Sequence, residues 1–96
     1  MPMQPNLNNL IAALGSSRGA ERIVLFGSRA RGDNHERSDI DLAVYGLPES
    51  KEAAFLDGID ELPTLLKFDV VFISPHTSPA LLDEIKRDGV TLYEAQ

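Results

Sequence analysis

Cysteine is absent from this sequence, and so are long apolar runs. Without cysteine the protein can form neither a disulfide nor a zinc site built on thiolates. No apolar run approaches the roughly 18 residues that span a bilayer, and the N-terminal residues lack the basic stretch and apolar core of an export signal. We therefore expect a cytoplasmic protein that does not associate with a membrane.

Basic residues are scarce: 9 Lys and Arg stand against 15 Asp and Glu, which gives a formal net charge of −6 at pH 7. An acidic domain repels phosphate backbones at long range, so we expect no direct nucleic-acid partner. A basic protein or a metal-chelated nucleotide suits this charge better. With 96 residues, 43% of them hydrophobic, the chain is expected to form a single globular domain over 1–96 with a shallow cleft.

The spacing of apolar residues predicts three helices. Asn6 is a candidate N-cap for the first, which is expected to end at Gly15-Ser16-Ser17. The second is predicted over about 50–62. The third begins after Ser78, which precedes a proline, and Gly89 suits its C-terminal cap.

Short apolar runs between these helices predict four strands and one tight turn. The turn covers 27–32 and includes one or two helical turns. The order of elements is that of one α/β domain, a small mixed sheet with helices packed mainly on one face. The strands are predicted over 23–26, 39–45, 68–73 and, as a closing edge, 90–93.

Two carboxylates share one face of the second predicted strand. Asp39 and Asp41 are two residues apart, so they point the same way, while Ile40, Leu42 and Val44 face the core. Nucleotidyl transfer uses two Mg²⁺ ions held by converging carboxylates, because charge develops on the α-phosphate and on the leaving pyrophosphate. Both residues are therefore predicted metal ligands and catalytic residues.

A third acid, Asp69, lies at the start of the otherwise apolar third strand. Burying an unpaired carboxylate there would cost on the order of several kcal/mol. Ligation of a metal, or a role as general base toward an attacking hydroxyl, would compensate that cost. We predict that Asp69 belongs to the same catalytic and metal site, and the sequence leaves these two roles open.

The turn after the first strand has the composition of a phosphate-binding turn. Gly27 lets the backbone approach a phosphate, and Ser28 can donate its hydroxyl and backbone N–H groups to phosphate oxygens. Both are predicted to bind the nucleotide.

Two arginines and a serine near this turn are further candidates for nucleotide binding. Arg29 and Arg31 bring positive charge to an acidic chain and can reach a triphosphate, or else pair with Asp33 and Glu36. Ser38 is expected near the metals, or as a turn cap through its hydroxyl.

These residues together carry a family resemblance. Gly27 and Ser28, ten intervening residues, and then Asp39-Ile40-Asp41 resemble the signature of the polymerase-β nucleotidyltransferase superfamily. The run 27–32 and the small size resemble the minimal nucleotidyltransferases, called MNT proteins, that pair with HEPN-domain toxins. The likeness extends from about residue 10 to residue 93.

The resemblance implies a polymerase-β-like fold and Mg²⁺-dependent transfer of AMP from ATP. For the MNT branch it further implies an antitoxin of a type VII toxin–antitoxin pair, which adds AMP to a tyrosine of a HEPN toxin held in a hetero-oligomer. Larger superfamily members carry an extra helical domain for the acceptor, so here we expect a separate chain to supply it.

Two alternatives stay open on the sequence alone. One is transfer of nucleotides to a small molecule such as an aminoglycoside, with a helical partner subunit completing the cleft. The other is a binding module that neutralises a basic partner sterically, without catalysis.

Overall fold

The computed structural model describes residues 6–33 and 38–96. Four helices and four strands alternate along these residues, and one short 3-10 turn, Glu49–Lys51, precedes the third helix. Within this part of the chain, no helix combines the length and the apolar character needed to cross a membrane. The elements are α1 (Leu7–Arg18), β1 (Arg22–Phe26), α2 (Ser28–Arg31), β2 (Ile40–Tyr45), α3 (Glu52–Asp60), β3 (Phe68–Phe72), α4 (Pro79–Asp88) and β4 (Val90–Glu94).

The four strands form a single mixed sheet in the order β3-β2-β1-β4. Strand β1 runs antiparallel to both β2 and β4, whereas β2 and β3 are parallel. Parallel neighbours need a crossover connection, and α3 lies on the one between β2 and β3. The predicted mixed sheet is confirmed, with β4 at its edge.

Helices α1 and α3 cover one face of the sheet and form the larger part of the core. Ile11 of α1 and Phe55 of α3 are buried against Leu42 and Val44 of β2. The Phe55 ring meets Phe72 of β3 edge to face, with ring centroids 6.0 Å apart. Two of the three longer helices therefore share this face, as the sequence predicted.

Helix α4 packs on the opposite face. Its Ile85 is buried in a smaller cluster with Val24, Phe26 and Ala43. Since side chains alternate along a strand, Asp41 lies on this same face, two residues before Ala43. Helix α4 is thus the neighbour of the predicted carboxylate site.

The end of α1 differs from the prediction. The helix passes through Gly15 and continues to Arg18, and Gly19, in the left-handed conformation, caps it. The start is as predicted, since the Asn6 side chain accepts hydrogen bonds from the backbone at the first turn. Gly15 is needed for packing, because a Cβ there would overlap the fully buried Ile23.

The other helix ends are largely as predicted. The segment predicted over 50–62 begins as the 3-10 turn and continues as α3, which ends two residues early. Ser78 caps α4 by accepting a hydrogen bond from the Leu81 N–H at 3.2 Å. Gly89 is the residue after α4, but its backbone is extended and leads directly into β4.

Candidate active site

Asp41 and Asp69 are direct neighbours across the parallel pair β2 and β3. The register pairs them with each other, between the pairs Ile40–Phe68 and Leu42–Val70. The flanking apolar side chains point into the core beneath α1 and α3, so both carboxylates face the other side. Asp41 is half-buried and Asp69 is exposed. The backbone register therefore places these two acids side by side on neighbouring strands, while their role in a metal site stays a prediction.

Asp39 precedes the first residue of β2 and is exposed. Two hydrogen bonds hold the chain on either side of it. The Arg29 Nε donates to the Ser38 carbonyl at 2.9 Å, and the Ile40 N–H donates to the Lys67 carbonyl at 2.9 Å. The backbone at Asp39 is thus fixed on both sides, although Asp39 itself lies just before the β2 ladder.

The turn at Gly27 meets the carboxylates directly. Gly27 follows β1, and the register pairs the last β1 residue, Phe26, with Asp41. Its backbone has φ 76° and ψ −157°, a region open essentially to glycine alone. A Cβ at this position would overlap the Asp41 carboxylate oxygen Oδ2. The glycine therefore allows the turn to lie against the acid, and α2 starts at Ser28 beside it.

Burial and neighbouring like charges together shape the electrostatics of this cluster. Burial raises the pKa of Asp41, and the charges of Asp69, Asp39 and then Glu84 raise it further, while Arg31 partly opposes the shift. The ionised form of Asp41 is therefore disfavoured unless a cation compensates it. Carboxylate oxygens are the donors that Mg²⁺ prefers, so the chemistry of this set fits that ion.

The side chains are not drawn together as a finished metal site. Among residues 6–33 and 38–96, no group of three His, Cys, Asp or Glu side chains is close enough to hold a metal ion. The backbone register and the Gly27 contact bring the acids to one region, and repulsion between like charges disfavours their convergence without a cation.

Glu84 is a further acid near this cluster that the sequence did not single out. It lies half-buried on α4, immediately before the core residue Ile85, and its charge acts on Asp41. Nothing in its local pattern separates it from an ordinary surface glutamate of an amphipathic helix. Only the packing of α4 on the carboxylate face reveals it.

Arg31 links α2 to the end of α4. Its Nε donates to Asp33 at 3.1 Å and its Nη1 donates to Asp88 at 3.3 Å. The Asp88 side chain is only 10% exposed, and hydrogen bonds from Arg87 and Arg31 lower the pKa of Asp88. The predicted pairing of Arg31 with Asp33 is confirmed, whereas Glu36 lies outside the described residues. Binding of the nucleotide by either arginine stays a prediction.

The site is open on the surface. Asp39 and Asp69 are exposed. A separate groove of about 370 Å³ runs between α4 and the sheet, lined by Arg22, Tyr45 and Lys86 among others. An open carboxylate cluster suits an acceptor presented by another molecule.

In metal-free buffer, Asp41→Asn is expected to raise the midpoint of thermal unfolding at pH 7. The folded-state pKa of Asp41 lies above its ordinary value of 3.8, so the ionised carboxylate destabilises the fold at neutral pH. This penalty is fully present above the raised pKa and disappears below the ordinary one, so the gain should shrink as the pH falls from 7 toward about 3.

The matched control is Asp57→Asn, which removes an exposed acid from α3 on the other face. It should leave the midpoint nearly unchanged at every pH. Mg²⁺ should raise the midpoint of the wild type and not that of Asp41→Asn. If Asp41→Asn is less stable than the wild type at pH 7 without metal, the destabilising effect of the ionised Asp41 is contradicted.

Comparison with known proteins adds family evidence to this geometry. The family model described as polymerase beta, nucleotidyltransferase matches residues 8–96. The comparison with curated proteins gives no match.

Among solved structures, the chain is similar to proteins crystallised as toxin–antitoxin complexes. A variant of the MntA–HpeT toxin–antitoxin pair matches with a TM-score of 0.71 and 26% identity, over 97% of this chain and 76% of that one. A toxin–antitoxin complex with AMP-PNP matches with a TM-score of 0.69 and 26% identity, over 93% and 74%. The tri-AMPylated HEPN toxin of Shewanella oneidensis with its MNT antitoxin matches with a TM-score of 0.62 over 98% and 75%, and its 23% identity supports the fold alone.

Proposed function

Because this chain belongs to the polymerase beta nucleotidyltransferase family, we propose that it transfers AMP from ATP to a tyrosine hydroxyl of a HEPN-family toxin in the cytoplasm. In this role it is the antitoxin of a toxin–antitoxin pair. Similarity to proteins crystallised as toxin–antitoxin complexes, one of them with AMP-PNP, supports the choice of partner and nucleotide.

One observation carries the catalytic part of the proposal. Asp41 lies between the Gly27 turn, whose backbone packs on its carboxylate, and Asp69, its partner in the β2–β3 register. A turn suited to phosphate and a set of acids suited to Mg²⁺ thus meet at a single side chain. A binding module that works by shape alone has no need of this arrangement, because burial and the neighbouring acids disfavour the ionised form of Asp41.

The residues divide the chemistry among them. Asp39 and Asp41 would hold the metal, and Asp69 would complete the site or accept the proton of the acceptor hydroxyl. When bound there, two Mg²⁺ ions would neutralise the charge that develops on the α-phosphate and on the pyrophosphate. Gly27 and Ser28 hold the triphosphate through backbone N–H groups and the serine hydroxyl.

The proposed transfer is a displacement reaction at the α-phosphorus of ATP. The tyrosine oxygen forms a bond to the α-phosphorus, the bond from that phosphorus to the bridging oxygen breaks, and pyrophosphate leaves. The hydroxyl proton passes to a carboxylate, for which Asp69 is the candidate because it is exposed beside Asp41.

The surface of the site favours a macromolecular acceptor. Asp39 and Asp69 are exposed, and the chain carries a net charge of −6. A basic partner is attracted by such a field, and a tyrosine on a protruding segment can reach an open cluster more easily than a deep pocket.

The proposal is tested by incubating the chain with Mg²⁺, ATP and a co-expressed HEPN-family protein, followed by intact-mass and peptide mass spectrometry. We expect the partner to gain one or more AMP groups on tyrosine, and a partner with that tyrosine changed to phenylalanine to gain none. Chelation of the metal should abolish the gain.

The outcomes separate the alternatives. Inhibition of the partner without any AMP gain would favour a steric antitoxin. Labelled AMP appearing on an aminoglycoside, and not on the partner, would favour a small-molecule nucleotidyltransferase. Either result would overturn the proposed acceptor.

A further inference from the structure

Asp39 differs from the other two aspartates in how its backbone is held. Asp41 and Asp69 are fixed by the β2–β3 ladder, in which they are register partners. Asp39 lies one residue before the ladder starts at Ile40. An exposed side chain at the entrance to a strand has more freedom than one within the ladder, so its position depends on the contacts of its neighbours.

Two of those contacts are hydrogen bonds on either side of Asp39. The Ile40 N–H donates to the Lys67 carbonyl, which ties the following residue to the segment before β3. The Arg29 Nε donates at 2.9 Å to the Ser38 carbonyl, which belongs to the peptide unit that precedes Asp39. The Arg29 side chain therefore contacts the peptide unit that joins Ser38 to Asp39, although nine residues lie between Arg29 and Asp39 in sequence.

Arg29 also joins two halves of the proposed site. It is the second residue of α2, the helix that begins at Ser28 directly after the Gly27 turn. Gly27 in turn packs on Asp41. One side chain thus connects the phosphate turn to Asp39, and a permanently charged, planar guanidinium makes such a bond strong and directional.

We infer that Arg29 is a positioning residue, which fixes Asp39 through the Ser38 carbonyl so that Asp39 and Asp41 can hold a divalent cation together. The inference rests on the proposed metal role of the two aspartates and assigns Arg29 a task other than contact with phosphate. Residues that orient a metal ligand in this way commonly change metal affinity about 10–100-fold when they are replaced.

The test measures Mn²⁺ affinity by electron paramagnetic resonance, with no nucleotide present, so that a phosphate contact cannot contribute. The variants are Arg29→Gln and Arg29→Lys. Lysine retains the charge and most of the aliphatic stem but lacks the Nε–H of the guanidinium. It therefore serves as a second variant that is less prone to a folding defect than Arg29→Gln. Arg18→Gln is the matched control, because Arg18 also donates its Nε to a backbone carbonyl, that of Ala54, on the opposite face of the sheet.

We expect both Arg29 variants to raise the Mn²⁺ dissociation constant at least about tenfold, and Arg18→Gln to leave it at the wild-type value. In the transfer assay, the Mg²⁺ concentration for half-maximal rate should rise, while the KM for ATP at saturating Mg²⁺ stays close to wild type. Unchanged Mn²⁺ affinity in the Arg29 variants, with a raised KM for ATP that lysine restores, would overturn the inference in favour of phosphate contact.

Failure of this inference and failure of the proposed function are distinguishable. If the wild type transfers no AMP to a HEPN partner and the Arg29 variants still weaken Mn²⁺ binding, the acceptor assignment falls and the role of Arg29 stands. If the wild type binds Mn²⁺ no better than Asp41→Asn does, there is no metal ligand to position and the inference falls.

Discussion

Replacing Asp39 and Asp41 together by asparagine is expected to lower AMP transfer by about three orders of magnitude, which corresponds to about 4 kcal/mol in the activation free energy. Asparagine keeps the size of each side chain and removes the charge that would hold the metal. The loss should therefore fall on the chemical step, where the metal stabilises charge on the phosphates.

Binding to the partner should survive this change. Asp39 is exposed before β2, and Asp41 on β2 faces away from the core formed by α1 and α3, so neither substitution disturbs that packing. Isothermal titration with the unmodified partner should give an affinity within a few-fold of wild type. The rate loss and the retained binding together distinguish catalysis from a steric antitoxin.

The control for this experiment is Asp57→Asn combined with Asp60→Asn. Both residues are exposed acids of α3, so the pair changes the net charge by the same amount on the other face. It should transfer AMP at the wild-type rate. A double variant at Asp39 and Asp41 that retains wild-type transfer would remove both residues from the catalytic site.

The second large effect is expected from Gly27→Ala. A side chain in this backbone conformation costs about 1–3 kcal/mol, and here its Cβ would in addition overlap the Asp41 carboxylate. We expect the unfolding midpoint to fall by roughly 4–8 °C for each kcal/mol lost. Transfer by the folded variant should drop about 100-fold, because Asp41 and the turn can no longer occupy their mutual positions.

Gly19→Ala separates the cost of backbone strain from the effect of the contact with Asp41. Gly19 also has a positive φ, of 88°, but a Cβ there would meet no atom within 4 Å. It should lose stability by about 1 kcal/mol through backbone strain and keep its transfer rate at temperatures where it is folded. Equal losses of activity in both variants, measured at matched folded fraction, would show that the Gly27 contact has no special role.

Much of the site was predictable because strands have a two-residue period. The alternation from Asp39 to Tyr45 assigns Asp41 to one face and Leu42 to the other, and the core residues follow that assignment. Asp69 was recognisable as a lone acid in an apolar strand. The register that pairs Asp69 with Asp41 required the tertiary structure.

The unpredicted features depend on distant packing. Gly15 is typical of a helix end in a local pattern, yet it lies inside α1, at a position where Ile23 of β1 leaves no room for a Cβ. The contact between Arg31 and Asp88 joins residues 57 positions apart, so no spacing rule identifies it. Glu84 likewise comes near the carboxylates only through the packing of α4 on their face of the sheet.

The pairing of Asp41 with Asp69 has a consequence for how faithfully the chain folds. A slip of one residue between β2 and β3 would turn Asp69 into the core beneath α1 and α3, and would turn Val70 out to water. Enclosing an uncompensated carboxylate among apolar side chains costs several kcal/mol, roughly, which a domain of this size can hardly tolerate. The acid that we propose for catalysis therefore also disfavours pairing of β2 and β3 in the wrong register. An apolar substitution at Asp69 would remove this penalty on misfolding as well as the proposed catalytic carboxylate.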